Sequence, residues 1–213
     1  MALTTSKTIY KEGFGPLMAG VHVAPFPYAG HLPSAIGSST EAMVSYCLDQ
    51  VELLLKQQTA PSETAAMIIE PVLGEGGYVP APDAFLRGLR KICDKHGILL
   101  VFDEIQTGFG RTGTMFAREH SGVVPDILVM SKGIASGLPL SCVVAKSDYT
   151  AKQPPGCMGG TFAGNVVSCA AALGTLDVFE QENLLHNCNE RGKQLKTGLN
   201  SLKAKGYSLS DVR

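Results

Sequence analysis

Residues 98–113 read ILLVFDEIQTGFGRTG. The apolar run from Ile98 to Phe102 ends abruptly in two acids, Asp103 and Glu104, and a glycine-rich loop follows. Such a run is expected to be a strand buried on both faces, as in a parallel sheet. Acids at the tip of such a strand suit two chemistries. One holds a magnesium ion for a nucleotide; the other holds the ring nitrogen of a cofactor. The first requires a GxxxxGK[ST] loop whose amides cradle phosphates, and the chain has none. The segment GFGRTG at 108–113 matches GxGxxG, but DEIQT separates it from its strand. No acid ends a strand about 20 residues later, where a ribose needs one, so the dinucleotide reading also fails. The segment GSST at 37–40 looks like a phosphate cradle and reads better as a helix cap.

Working outward, short apolar runs alternate with helical patterns. VHVAPF (21–26), MIIEP (67–71), ILVMSK (127–132) and LSCVVAK (140–146) read as further strands. Between them, SSTEAMVSYCLDQVELLLKQQ begins with Ser38 three residues before Glu41, the spacing of a capping box. PDAFLRGLRKICDKHG has Pro82 near its start and Gly97 after its end. NVVSCAAALGTLDVFEQENLL reads as a long alanine-rich helix, with HNCNERGKQLKTGLNSLKAKG continuing as another. The expected class is α/β, a mostly parallel sheet flanked by helices.

Composition narrows the function. The 213 residues suffice for a domain with a real core. A net charge of -1 with no long run of like charge argues against nucleic acid or an anionic membrane as the main partner. No apolar run approaches the roughly 18 residues of a membrane span, and MALTTSKTIYKEG lacks a signal-like apolar core. Six cysteines without a CxxC pair read as free thiols in a reducing compartment. Five scattered histidines without HExxH give no expectation of a metal site.

In sheets of this class ligands gather at the carboxyl ends of strands. Three expected strands end in reactive groups: Glu70, Asp103 with Glu104, and Lys132. An acid at one tip and a lysine at the next suit pyridoxal phosphate. The lysine amine forms a Schiff base with the aldehyde. The acid keeps a proton on the pyridine nitrogen, so that the ring takes up the electrons of a substrate carbanion. The small residues after Lys132, in KGIASGLPL, let a bulky ring approach the backbone.

Four stretches carry a more specific signal: IIEPVLGEGG, VFDEIQTGFGRTG, PDILVMSKGIASGLPL and GGTFAGN. In order and spacing they resemble the class III (ω-) aminotransferases of the fold-type I pyridoxal-phosphate enzymes, over nearly the whole chain. Within that class PGCMGGTFAGN and VFEQENLL look most like the 4-aminobutyrate aminotransferases. The resemblance implies that Lys132 carries the Schiff base and shuttles the proton, and that Asp103 pairs with the pyridinium nitrogen. It implies that Ile105 packs on the ring face and that Gln106 bonds near the ring hydroxyl. Thr161 is implied to reach the cofactor phosphate of a neighbouring subunit, hence a homodimer. Glu70 and Glu75 are implied on the substrate side, with Glu75 gating a substrate arginine. Val166 stands where the family often has proline after AGN, at a helix start where proline is favoured but not required.

The implied substrates are an ω-amino acid, foremost 4-aminobutyrate, and 2-oxoglutarate as the 2-oxo acid. The alternatives are another class III enzyme, such as the acetylornithine type, or a non-catalytic remnant of the fold acting as an assembly partner. The implied domains are a cofactor-binding large domain over 1–182, incomplete at its N-terminus, and the helical start of a small domain over 183–213. Family members are about twice as long, so a central fragment is expected, with little turnover on its own. The implied compartment is the cytoplasm or the mitochondrial matrix.

Overall fold

The computed structural model describes residues 1–209 and 211–213. The chain divides into two compact units, 1–101 and 102–213.

In the first unit, α1 (Ser34–Gly37) leads into α2 (Thr40–Gln57). Val44, Cys47, Val51 and Leu55 are its buried residues, and their spacing of three and four lines one helical face. The strands β1 (Ala66–Ile69), β2 (Val72–Leu73) and β3 (Val79–Pro80) follow, then α3 (Asp83–His96). β2 and β3 form a small antiparallel hairpin. α3 buries Phe85, Leu86, Leu89, Ile92 and Cys93, starts after Pro82, and stops at Gly97 in the left-handed conformation. Both boundaries match the sequence expectation.

β4 (Leu99–Asp103) runs through the division between the units. Its start lies beside β1, where Leu99 N–H donates to Ala65 O at 3.1 Å. Leu100 and Phe102 are fully shielded from water, each contributing roughly 1.5–3 kcal/mol of burial. Val101, between them on the opposite face, is also buried, so the strand is covered on both faces.

In the second unit β4 ends and is followed by α4 (Arg118–Ser121), β5 (Ile127–Met130), a 3₁₀ turn (Lys132–Ala135) and β6 (Cys142–Ala145). Then come α5 (Ser147–Thr150), α6 (Val166–Gln181) and α7 (Leu184–Ala204). The strand order is β1-β4-β5-β6, mostly parallel and flanked by helices, as expected. The exception is β6, antiparallel to β5 with Met130 opposite Cys142. Residues 131–141 are too short a connection for a parallel crossover, which takes roughly a dozen residues or more. Below the 3₁₀ turn, Met130, Ile134 and Ala135 form a buried cluster against Phe109, Phe116, Ala171 and Ala172.

Three expectations need correction. Residues 21–26 form no strand. Pro25 and Pro27 flank Phe26 and cannot donate to a ladder; Phe26 instead packs edge-on against Phe85. The cap of α2 is Ser39, not Ser38. Ser39 is extended, and its Oγ accepts from Ala42 N–H at 3.1 Å and donates to Glu41 at 2.9 Å. Ser38 still belongs to the preceding turn and donates to Ala35 O. Finally, the last two helices part at Asn183, in the left-handed conformation, three residues before the expected restart at His186.

All six cysteines are free. Burial pushes the Cys47 thiol up to about 11, so it stays protonated near neutrality. No helix among the described residues is long and apolar enough to cross a membrane.

Candidate active site

The two acids at the tip of β4 part company. Asp103 stays half-buried, and its Oδ1 accepts from Ile105 N–H at 3.0 Å. Glu104 is completely buried. Its Oε2 accepts from Thr107 Oγ1 at 2.9 Å and from Ala117 N–H at 2.6 Å, and its Oε1 accepts from Arg118 N–H at 2.9 Å. Consecutive residues of an extended chain project to opposite sides, so one carboxylate serves the interior and the other faces outward. The sequence set the two side by side and gave no reason to separate them. The available signal was that alternation, with Glu104 in step with the buried Phe102.

Beside this tip stands the end of β5. Glu104 N–H donates to Val129 O at 2.8 Å, which brings the carboxyl ends of the two strands together. Asp103, Ile105 and Gln106 thus sit at one strand end and Lys132 at the next, as the sequence anticipated. The lysine is exposed and makes no hydrogen bond or ion pair with any described residue. Its φ is +47°, in the left-handed region that residues with a Cβ avoid. Ser136, at the far end of the same turn, has φ +45°. The turn is held from both sides. Ser131 Oγ donates to Leu140 O at 2.6 Å, and Ser136 Oγ lies 3.0 Å from Thr175 Oγ1 on α6.

The glycine-rich loop does structural work. Gly110 has φ +79°, and an added Cβ would meet Phe179 at 3.0 Å. Gly113 has φ +94°, and its Cβ would meet Asn189 at 2.4 Å. Asn189 Nδ2 donates to Gly113 O at 2.8 Å, and Cys188 Sγ approaches Gly110 O at 2.8 Å. These glycines let α6 and α7 lie against the loop.

The other candidates are less enclosed. Thr161 lies on an exposed turn, and its hydroxyl bonds to no described residue. Its neighbours Met158 and Phe162 are 77% and 84% exposed. At the end of that stretch Asn165 caps α6, accepting from Val167 and Ser168 N–H. In the first unit Glu70 accepts from Gly74 N–H at 2.8 Å, which ties it to the turn before β3. Glu75 is exposed and accepts from Tyr10 OH at a long 3.5 Å. No group of three or more His, Cys, Asp or Glu side chains among the described residues is placed to hold a metal.

Similarity to known proteins bears on this geometry. The family model of the class-III aminotransferases matches residues 1–213. The 5-aminovalerate aminotransferase of Pseudomonas putida and the 4-aminobutyrate aminotransferase of Escherichia coli are each 42% identical to this chain over 213 residues. The match takes in all of this chain and 48% of each relative, so the chain spans about half the length of the curated relatives it matches. Among solved structures, an amine transaminase from an uncultivated Pseudomonas species, in its PLP-bound form, superposes with a TM-score of 0.85 at 35% identity. That superposition covers 93% of this chain and 46% of the other. An (S)-enantioselective ω-transaminase from Thermomicrobium roseum gives 0.83 at 36% identity.

Pyridoxal phosphate is the cofactor that these relationships indicate. The residues present fit it. Among the described residues, Asp103 has one carboxylate oxygen fixed by Ile105 and the other without a partner, and Lys132 offers an unpaired amine just past the end of the neighbouring strand.

Proposed function

Because the chain belongs to the class-III aminotransferases, we propose that it carries the catalytic centre of a transaminase moving the amino group of an ω-amino acid to 2-oxoglutarate. The preferred donor is 4-aminobutyrate or its one-carbon-longer homologue 5-aminovalerate, in keeping with the names of the two relatives. The observation that carries the proposal is Lys132 itself. A lysine held at φ +47°, exposed and unpaired, beside a strand ending in a carboxylate, is a strained backbone position kept for a purpose. Strain of this kind costs roughly 1–3 kcal/mol and persists where function selects it.

Bound pyridoxal phosphate supplies an electron sink for the carbanion formed at the substrate's amino-bearing carbon. Lys132 Nζ would hold the cofactor and would take the proton from the substrate's amino-bearing carbon. The Oδ2 of Asp103, without a partner among the described residues, would accept the ring nitrogen's proton in a hydrogen bond and keep that nitrogen charged. Ile105 packs on the ring face, and Gln106 bonds beside the ring hydroxyl. Glu104 keeps this segment in shape from behind. Thr161 donates to the phosphate held by a second copy of the chain. A homodimer is further supported by α6, which leaves large apolar side chains exposed while its buried residues are Ser168 and Thr175. Ala171 and Ala172 pack inward, while Val166, Val167 and Leu173 are 79%, 62% and 65% exposed. Glu70 and Glu75 act on the substrate side, with the loosely held Glu75 as the gate.

The test is one half-reaction. The chain is loaded with pyridoxal phosphate and mixed with 4-aminobutyrate, and conversion of the cofactor to its amine form is followed by chromatography. Conversion is expected to be faster than that by Lys132→Ala by roughly a hundredfold to ten-thousandfold, the range of a positioned proton-transfer group. Equal conversion by the two proteins would remove Lys132 from the chemistry.

A further inference from the structure

We infer that Glu104 is a positioning residue whose buried carboxylate fixes the backbone that presents Asp103, Ile105 and Gln106. The inference rests on the reading of Asp103 given above and adds a residue to it.

Every polar group of Glu104 is engaged. Its N–H donates to Val129 O at 2.8 Å, and its carbonyl accepts from Gly108 N–H at 3.0 Å. Its two carboxylate oxygens take three donors, from Thr107, Ala117 and Arg118. Two of those donors are backbone amides thirteen and fourteen residues further along the chain. The segment 105–116 is therefore a loop closed upon one side chain. Asp103 and Ile105 are the covalent neighbours of that side chain, and Ile105 in turn bonds Asp103 at 3.0 Å. Rotation at Glu104 would carry all three site residues with it.

Stability alone does not explain a carboxylate here. Glu104 is 0% exposed, and no cation lies within salt-bridge distance of it among the described residues. Removing a charge from water is expensive, and an apolar side chain of similar volume often serves the fold as well or better. What the carboxylate supplies is acceptor capacity with no donor of its own. A glutamine of the same shape has a single oxygen. Its amide must face either Arg118 N–H or the pair from Thr107 and Ala117, donor against donor, and at least one buried N–H or O–H loses its partner. The chain thus holds a carboxyl side chain with three donors in its interior to keep one loop conformation, and that loop carries the residues proposed to meet the ring.

The experiment compares the unaltered 213-residue chain with Glu104→Gln and with Leu89→Ala. The latter truncates a buried residue of α3, outside the site, and serves as a control for general destabilisation. Amide hydrogen exchange is measured first, without cofactor. Glu104→Gln is expected to speed exchange at Ala117 and Arg118 at least ~10-fold beyond any change in Leu89→Ala, the consequence of one buried hydrogen bond lost. Cofactor affinity and the near-visible absorbance of the lysine-bound cofactor are measured next. Glu104→Gln is expected to bind at least ~10-fold more weakly, with a shifted pH midpoint of that absorbance, while Leu89→Ala keeps both. Unchanged exchange in Glu104→Gln overturns the inference whatever the cofactor does. Faster exchange with affinity and absorbance unmoved also overturns it, leaving Glu104 a purely structural residue. If the unaltered chain itself shows no cofactor at Lys132, the reading of Asp103 fails, and the inference falls with it by a separate signature. Should Glu104→Gln not fold, Thr107→Val removes one donor without touching the charge. The same ordering at about threefold supports the inference, and no effect overturns it.

Discussion

The tip of β4 and the stretch carrying Thr161 belong to the same compact unit and are built in opposite ways. At the tip, Glu104 alone gathers five hydrogen bonds, counting its own N–H and carbonyl, and Phe102 behind it is sealed from water. Every polar group of Glu104 finds its partner within the chain. Along 151–165 each residue is exposed, Met158 and Phe162 stand in solvent, and Thr161 has no partner among the described residues. Apolar side chains presented in this way lose the burial that offsets ordering of the chain. The difference separates two kinds of site residue. Asp103 and Lys132 are positioned by their own fold, whereas Thr161 awaits another surface, in our reading a second copy of the chain.

The largest expected effect lies at the self-sufficient region. Asp103→Asn leaves the shape of the tip intact and removes the charge that, in our proposal, keeps the ring nitrogen protonated. A loss of several kcal/mol in barrier slows the half-reaction by roughly a thousandfold or more, since ~1.4 kcal/mol is tenfold. Stopped-flow rates on the two proteins check this, and near-normal rates in the variant would refute the role of Asp103.

A smaller effect tests the other side of the comparison. If Thr161 donates to the cofactor phosphate as proposed, Thr161→Val removes one hydrogen bond to a charged group, worth about 1.5–3 kcal/mol, and should weaken cofactor binding roughly 10- to 100-fold. Mixing it with Lys132→Ala sharpens the point. If Thr161 serves the neighbour's site, mixed dimers contain one site with both residues intact, and some cofactor binding at Lys132 returns. No recovery in the mixture would place Thr161 in its own chain's site or in none.

Smaller again is Glu75→Gln. If this loosely held acid gates a substrate arginine, the half-reaction with 4-aminobutyrate should fall several-fold more than that with glutamate, an effect on the order of 1 kcal/mol. Equal losses in the two would make it a structural charge. A last effect, on stability rather than on rate, concerns strain. Lys132→Gly should fold about 1–2 kcal/mol more stably than Lys132→Ala, because only glycine adopts a positive φ without cost. Denaturant melts of the two variants compare them directly, and an equal midpoint would mean that the +47° conformation stores nothing.

Much of this arrangement was legible in the residues. The apolar runs at β1, β4, β5 and β6 could be read as strands from their composition, although only β4 is buried along most of its length, and three of their ends carried the reactive groups. The failures have local causes. Residues 21–26 alternate like a strand, but the run ends in a proline-flanked phenylalanine that no ladder accepts. Ser38 and Ser39 are equivalent as letters, and only the backbone turn ending at Ser38 selects the second as cap. The pair Asp103–Glu104 was the deepest ambiguity. The resemblance implied a role for Asp103 and none for Glu104, and the alternation of side chains sends the two to opposite sides. That Glu104 reaches the amides of Ala117 and Arg118 depends on a loop closure that no short-range pattern encodes.

The account turns on one nitrogen, and reductive trapping tests it most directly. The 213-residue chain is incubated with pyridoxal phosphate, reduced with borohydride, digested, and the modified peptide located by mass. The account predicts that the cofactor is fixed predominantly on Lys132, and that Asp103→Asn lowers the yield without moving the position. Modification spread evenly over exposed lysines such as Lys146 and Lys152, with Lys132 no more labelled than they are, would contradict it.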